Sequence, residues 1–298
     1  MKNKTYAAIR ARIAPARANI VLLLALLYWL FTPYAIYAIL DALSVESMSV
    51  LAYAALLFTV RFGPPILLCL IFAKKRPWTT LSMAPLSLKN VLYIAVITAS
   101  LRVIEFLLEF GSALAFSAPM HMPQLGPVWL HLLVAVVIAV IYEECLFRGV
   151  LYSEYQNQRV SIAKTALATG LFFGLIHSGI VSIAASAILG ILWAYLLYYT
   201  RSIWAPILSH AIYNALWQMH PAFHIENQVE YEAFLPTFVL ILGIAALIAV
   251  PAMVVCTIKF WAENRREMEA VAGESKVFRW SYWVLIAVML VVIALFRI

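Results

Sequence analysis

The sequence is poor in charged residues, aspartate and cysteine, and each shortage excludes a class of protein. Only 12% of the 298 residues are charged and 65% are hydrophobic, which excludes an ordinary soluble domain. The single aspartate, Asp41, excludes an intramembrane protease that uses two aspartates. The three cysteines, Cys69, Cys145 and Cys256, lie far apart in apolar segments, so no disulfide framework is expected. No His-Glu-x-x-His pattern, in which one helix supplies zinc ligands and a base, is present.

What the sequence has instead is a series of long apolar runs. Several approach or exceed the ~20 residues that a helix needs to span a bilayer. The predicted fold is all-α: a polytopic membrane protein with about 8–9 transmembrane helices around a central, conical intramembrane cavity. The predicted segments are Ala18–Leu43, Val50–Ala73, Val91–Phe116, Val128–Tyr152, Ile162–His177, Val181–Thr200, Ile203–Met219, Ala233–Lys259 and Trp280–Ile298.

We expect a single membrane domain over residues 1–298. It comprises N-terminal helices (18–125), a core that carries the polar motifs (126–219) and C-terminal helices (220–298). The net charge of +7 would suit nucleic acid. The basic residues, however, cluster on alternate loops, as the positive-inside rule requires of a membrane protein. We therefore predict a multi-pass protein in the lipid bilayer, with a cytoplasmic N-terminus and no nucleic-acid partner.

The first polar motif, Glu143-Glu144-Cys145-Leu146-Phe147-Arg148, lies at the end of an apolar run. Charges inside the hydrocarbon are costly and mark functional candidates. Glu144 and Arg148 share one helix face at i,i+4 and can pair. Glu143 points about 100° away around the helix, so it is the better candidate for a working base. The alternative is that all three residues anchor the helix at the cytoplasmic interface, with Arg148 snorkelling.

Two further motifs place histidine at helical spacing. Phe173 and His177 lie at i,i+4, so the phenyl ring can orient the imidazole, and His210 and Asn214 share a face in the same way. The histidine–asparagine pair could join helices or donate hydrogen bonds to an oxyanion. Two stripes of small residues nearby predict close helix packing; they are Ala166, Gly170 and Gly174, and Ser182, Ser186, Gly190 and Ala194.

The depth of these residues favours one shared cavity. At 1.5 Å per residue, Glu143, His177, His210 and Asn214 all lie roughly 10–20 Å from the cytoplasmic ends of their helices. They can therefore meet in the cytoplasmic half of the membrane or near its midplane. Such a set supplies a base, a sequestered water and an oxyanion site, which peptide hydrolysis requires.

In their order on successive membrane helices, Glu-Glu-x-x-x-Arg, Phe-x-x-x-His and His-x-x-x-Asn resemble the CAAX protease and bacteriocin-processing family. The motifs cover about a quarter of the chain. The resemblance implies that Glu143 activates water with help from His177, and that His210 and Asn214 stabilise the oxyanion. Glu144, Arg148 and Phe173 would support them. The implied substrate is a peptide or protein, with prenylated CAAX proteins, bacteriocin leaders and membrane proteins all compatible.

Metal dependence is a separate question. Glu143, His177 and His210 could form a three-ligand zinc site with an open position. Glu144 would then have to act as the base, although it is better placed to pair with Arg148. We therefore expect no metal cofactor and favour water activated by glutamate.

Other polar residues lie in the N-terminal helices. Arg61 is in the middle of one segment, and Arg102, Glu105 and Glu109 share a face of the next. They are expected to form an interhelical charge cluster, or else a weak docking site for a substrate's backbone or C-terminal carboxylate. His121, His131, His220 and His224 are expected at the far surface, interfacial or solvated.

Two other classes of function compete with hydrolysis. The charges could form the path of an ion- or proton-coupled transporter, with Gly63-Pro64-Pro65 breaking a helix. The chain lacks paired broken helices in two matching halves, which argues against that reading. The third hypothesis is a non-catalytic scaffold or immunity protein that retains the motifs.

Overall fold

The architecture comes from a computed structural model of the 298-residue chain. It describes residues 83–116, 128–157, 160–177, 180–220, 225 and 227–265. It also describes positions 19–20, 23–24, 27–28, 31–32, 34–36, 38–41, 52, 56, 59–60, 63–64, 67, 282–284, 286–287 and 290. Helix dominates these residues, and Met83 and Ser202 form an isolated antiparallel bridge. The predicted all-α class is confirmed for this part of the chain.

The helices between residues 83 and 265 are described over most of their length. We number them α1 (Leu88–Phe116), α2 (Val128–Asn157), α3 (Ile162–Leu175), α4 (Ile180–Thr200), α5 (Trp204–Gln218) and α6 (Gln228–Asn264).

Local polar contacts explain where α1 and α6 begin. The Asn90 backbone N–H donates to Ser87 Oγ (3.2 Å) before α1, and the Glu230 N–H donates to Asn227 Oδ1 (2.9 Å) before α6. Both contacts satisfy backbone donors that the first helical turn leaves without intrahelical acceptors.

Four of the described helices are long and apolar enough to cross a membrane. They are Leu88–Phe116, Val128–Asn157, Ser182–Thr200 and Gln228–Asn264. Helix α6 buries little of its surface, with Leu247 76% exposed and Ile248 72% exposed, as a lipid-facing helix does. The chain is thus an integral membrane protein. The predicted segments Ala18–Leu43, Val50–Ala73 and Trp280–Ile298 are described only at scattered positions, so the count of eight to nine stays a prediction.

Helix α3 is shorter than these four helices. Its 14 residues extend only about 21 Å, less than the ~30 Å of a bilayer's hydrocarbon core.

The chain divides into two compact units. One takes its residues from the ranges 1–83, 141–203 and 267–298, and the other from 84–140 and 204–266. Glu143, Glu144, Arg148, Phe173 and His177 belong to the first unit, and Arg102, Glu105, Glu109, His210 and Asn214 to the second.

The first unit packs α3 against α4 through glycines. A Cβ added to Gly170 would lie 2.5 Å from Ile191 Cγ1, and one on Gly174 would lie 2.5 Å from Ile183 O. One on Gly190 would lie 2.9 Å from the Cα of Gly170. The two stripes of small residues therefore serve close packing, as predicted.

The second unit packs α1 against α6. Its apolar core joins Phe106, Phe110 and Ala113 of α1 to Tyr231, Leu235, Phe238 and Leu242 of α6. The rings of Phe110 and Phe238 meet edge to face at 5.1 Å. At one end of the pair, the side chains of Asn90 and Asn264 exchange hydrogen bonds of 3.1 and 2.9 Å. The apolar packing and these hydrogen bonds together set the register of the two helices.

Candidate functional site

Helix α2 carries the two adjacent glutamates between two π-helical stretches. Leu133–Ile138 and Cys145–Tyr152 are π-helical, and the six residues between them, Ala139–Glu144, are α-helical. At the end of the second stretch, Ser153 Oγ donates to the carbonyl oxygen of Arg148 at 2.8 Å. Such turns displace side chains from ordinary α-helical positions and occur frequently at functional sites. The sequence predicts a regular α-helix here, because nothing in the apolar run signals either π-helical stretch.

Glu144 and Arg148 form the predicted ion pair. Arg148 Nε lies 3.2 Å from Glu144 Oε2, and Arg148 Nη1 donates to Glu144 Oε1 at 3.2 Å. Both side chains are 0% exposed. The alternative in which Arg148 snorkels to the interface is therefore wrong. A buried charge needs a partner, and each of these two ions supplies the other's counter-charge together with one hydrogen bond.

The same guanidinium also binds α2 to α4. Arg148 Nη2 donates to the carbonyl oxygen of Gly190 at 3.0 Å. The rings of Phe173 and Trp193 each lie 5.3 Å from its Cζ, a range in which aromatic rings attract a cation. Arg148 thus acts as a structural centre of this unit, and Gly190 and Trp193 are partners that sequence reasoning did not find.

Glu143 occupies a different side of α2 from Glu144. Glu144 is completely buried, whereas Glu143 retains partial exposure. The two neighbouring carboxylates therefore have different environments, as the helical geometry predicted.

His177 follows the end of α3 and is oriented by the residue one turn before it. Its Nδ1 lies 2.8 Å from the carbonyl oxygen of Phe173, and its ring centroid is 4.9 Å from that of Phe173. A carbonyl oxygen only accepts, so Nδ1 carries the hydrogen in this contact. In the neutral ring Nε2 is then the basic nitrogen. The predicted contact between Phe173 and His177 is confirmed, and the arrangement suits either a proton acceptor or a metal ligand.

The second unit holds His210 and Asn214 one turn apart on α5. His210 is 2% exposed. Asn214 Nδ2 donates to the carbonyl oxygen of Ala135 at 2.9 Å, within the first π-helical stretch. This contact fixes the orientation of the amide, because only its nitrogen can donate. The prediction that these two residues share a cavity with Glu143 and His177 stays a prediction.

Arg102 and Glu105 on α1 form a buried polar group with Tyr213 of α5. Arg102 Nη1 lies 2.6 Å from Glu105 Oε2, and Arg102 Nη2 and Nε donate to the carbonyl oxygen of Tyr213 at 3.0 and 3.2 Å. The Tyr213 hydroxyl donates to Glu105 as well. Arg102 and Glu105 therefore pair within α1, and their contact with another helix is to Tyr213 of α5, which sequence reasoning missed. Glu109 is partly buried on the same helix, and Arg61 lies outside the described residues.

His220 lies in the apolar interior of the second unit. His220 is 2% exposed and contacts the rings of Phe106, Phe110 and Trp217 at centroid distances of 5.1–5.4 Å. The prediction that it is interfacial or solvated is wrong, because these aromatic residues enclose it. His121 and His224 lie outside the described residues.

Comparisons with known proteins bear on this part of the chain. Residues 125–216 match the family model described as type II CAAX prenyl endopeptidase Rce1-like. The chain is also 23% identical over 107 residues to "Putative membrane peptidase YdiL" of Bacillus subtilis (strain 168), an alignment that covers 35% of this chain and 42% of that protein. The match therefore spans less than half of that relative. No solved structure matches the chain. The resemblance inferred from the motifs is confirmed.

Proposed function

Because residues 125–216 match the type II CAAX prenyl endopeptidase Rce1-like family, we propose that the protein is an intramembrane endopeptidase. It hydrolyses a peptide bond near the membrane surface with a water molecule activated by Glu143. The match includes all four residues to which the motifs assign the chemistry, Glu143, His177, His210 and Asn214. It favours a peptidase over the ion-coupled transporter and the non-catalytic scaffold.

The observation that carries the assignment of the base is the ion pair between Glu144 and Arg148. Both Glu144 oxygens lie 3.2 Å from guanidinium nitrogens, in a pair with no exposed surface. A carboxylate held in this way already has a structural task, because taking it away would leave a buried cation without its counter-charge. The neighbouring Glu143 retains partial exposure, and we assign it the proton transfer.

The proposed reaction proceeds through a tetrahedral intermediate. The Glu143 carboxylate takes a proton from water while the water oxygen attacks the scissile carbonyl carbon, with the basic Nε2 of His177 accepting a hydrogen bond from the same water. Hydrogen bonds from His210 and Asn214 stabilise the negative charge on the carbonyl oxygen. Collapse of the intermediate breaks the carbon–nitrogen bond, and the proton held by Glu143 passes to the leaving amine.

A zinc-dependent variant of this chemistry is the second candidate. It is favoured by the hydrogen bond from His177 Nδ1 to the Phe173 carbonyl oxygen, since histidine ligands commonly donate their other ring N–H in this way. Glu143, His177 and His210 would hold the ion, which would polarise the carbonyl and activate water. We favour the metal-free mechanism because the zinc mechanism would need Glu144, the partner of Arg148, as its base.

The substrate is a peptide or protein, lipidated in the CAAX-type case; a bacteriocin leader and a membrane protein are the other candidates. We further propose eight to nine membrane helices around a central cavity that opens toward the cytoplasm, with a cytoplasmic N-terminus. The positions of the basic residues in the sequence support this orientation.

The test uses purified protein in lipid nanodiscs and a fluorescence-quenched peptide that ends in a farnesylated CAAX sequence. Glu143→Gln removes the proposed base with little change in volume, so kcat should fall at least about 100-fold. Glu263→Gln is the matched control, because Glu263 lies near the surface, 3.6 Å from Lys89, and should retain full activity. Normal turnover by Glu143→Gln would refute the mechanism.

Metal analysis of the active sample separates the two mechanisms. The metal-free mechanism predicts that activity survives treatment with 1,10-phenanthroline and that zinc is substoichiometric. Loss of activity with the chelator, restored by added zinc, would establish the metal-dependent mechanism instead.

A further inference from the structure

Helix α1 contacts α5 at two points that directly precede the proposed oxyanion residues. Thr98 Oγ1 lies 2.6 Å from Ser209 Oγ, and Ser209 is the residue before His210. Arg102 donates two hydrogen bonds to the carbonyl oxygen of Tyr213, the residue before Asn214. The four residues thus form two contacts with the same spacing, i and i+4 on each helix. Because i,i+4 is about one helical turn, the two contacts lie on one face of each helix.

The contact between Thr98 and Ser209 joins two buried hydroxyl groups. Thr98 is 1% exposed and Ser209 is 0% exposed. Two buried hydroxyls keep their hydrogen bond, because a buried hydroxyl without one is unfavourable in free energy. The contact therefore restrains the position of α5 along the axis of α1 at Ser209.

The second contact, of Arg102 and Glu105 with Tyr213, involves both the backbone and the side chain of the tyrosine. The Arg102 guanidinium lies over the phenol ring, with Cζ 3.2 Å from the ring centroid, while two of its nitrogens bind the Tyr213 carbonyl oxygen. Glu105 accepts from the Tyr213 hydroxyl and also binds Arg102. The planar guanidinium makes these contacts simultaneously, which the single ammonium of lysine cannot do. This group restrains the rotation of α5 about its own axis.

We propose that Thr98, Arg102 and Glu105 are positioning residues for α5. They hold this helix at the axial position and rotation at which His210 and Asn214 donate hydrogen bonds to the substrate oxyanion. The inference rests on the proposed function for the roles of His210 and Asn214. It assigns the charged residues of α1 a task in placing catalytic groups, in place of docking the substrate. A displacement of about 1 Å at a reacting group can cost about 100-fold in rate, so such restraint is directly relevant to turnover.

The first experiment separates positioning from substrate binding by kinetics with the farnesylated CAAX peptide in nanodiscs. Thr98→Val removes the hydroxyl without changing the shape of the side chain and should lower kcat about fivefold, with KM within twofold of wild type. Thr98→Ser keeps the hydroxyl and should keep kcat close to that of the wild type. Arg102→Lys should lower kcat between about 10- and 100-fold. Ser112→Ala is the matched control on α1, because its exposed hydroxyl bonds to Glu109 O within the same helix.

A double-mutant cycle tests whether Thr98 acts through Ser209. If it does, Ser209→Ala should lower kcat as much as Thr98→Val, and the double variant should be no slower than either single variant. Additive losses would overturn this step, and so would a rise in KM with unchanged kcat.

A second readout needs no substrate. In histidine-labelled protein, the ring resonances of His210, assigned by their loss in His210→Gln, should shift in Thr98→Val and Arg102→Lys and stay constant in Ser112→Ala. Unmoved signals in both α1 variants overturn the proposal even if Glu143→Gln is inactive. If Glu143→Gln retains full turnover, the proposed function fails, and the His210 resonances still decide whether α1 positions α5.

Discussion

Replacing Gly170 with alanine should separate helices α3 and α4. The added Cβ would lie 2.5 Å from Ile191 Cγ1, 2.8 Å from Ala187 O and 2.9 Å from Ile191 N. Two of these three atoms belong to the backbone of α4, so a change of rotamer cannot relieve the overlap. Since non-bonded carbons pack at about 3.5–4.0 Å, α4 must recede by roughly 0.5–1 Å.

The magnitude follows from two losses and one smaller gain. Overpacking of this kind costs about 1–3 kcal/mol. The same shift stretches the 3.0 Å hydrogen bond from Arg148 to the carbonyl of Gly190, and hydrogen bonds to charged groups contribute about 1.5–3 kcal/mol. Against these losses, alanine in a helix is favoured over glycine by about 1 kcal/mol. The net loss in the free energy of unfolding should be roughly 1.5–5 kcal/mol.

The assay is reversible unfolding in mixed dodecyl maltoside and SDS micelles, followed by tryptophan fluorescence. Gly111→Ala provides a matched control, because no described heavy atom lies within 4 Å of a Cβ added there. Gly111→Ala should leave stability unchanged or raise it by up to about 1 kcal/mol. If Gly170→Ala were as stable as Gly111→Ala, the proposed tight contact of α3 with α4 would be refuted.

Two further predictions concern buried groups in the separate units. Glu144→Ala should lower the free energy of unfolding by about 3–5 kcal/mol, because it leaves the buried Arg148 cation without its counter-charge. A Glu144→Leu, Arg148→Met double variant should regain most of that loss in the same unfolding assay. A double variant less stable than the single one would contradict this. Phe110→Ala should lower the free energy of unfolding by about 3–5 kcal/mol, because it opens a cavity in the core of α1 and α6. Leu247 is 76% exposed, so Leu247→Ala should lower it by less than about 1 kcal/mol. Equal losses would contradict the lipid-facing assignment of Leu247.

Local spacing was a reliable guide wherever both partners lay on one helix. The pair of Glu144 and Arg148, the contact of Phe173 with His177 and the bridge from Arg102 to Glu105 all follow from i,i+3 or i,i+4 geometry. The glycine stripes likewise predicted close packing, because a glycine surface lets two backbones approach. These features depend only on which residue types recur at helical intervals.

Contacts between elements distant in sequence were beyond the same reasoning. Arg148 reaches a carbonyl oxygen 42 residues away, and Arg102 reaches one 111 residues away. A backbone carbonyl has no identity in the sequence, so no pattern of letters marks it as an acceptor. His220 was wrongly expected at a surface for a related reason: its aromatic neighbours Phe106 and Phe110 come from α1.

The sequence by itself determined the membrane character, the helical class, the family resemblance and the candidate residues of the chemistry, since hydropathy and helical period are local properties. The tertiary structure decided what each charge is bound to. It committed Glu144 to Arg148 with no exposed surface, oriented His177 through the Phe173 carbonyl, and placed Arg102 against the backbone of Tyr213. The reason is physical: an ion or a buried hydrogen-bonding group in an apolar environment must find its partner in space, and only the fold supplies the partners.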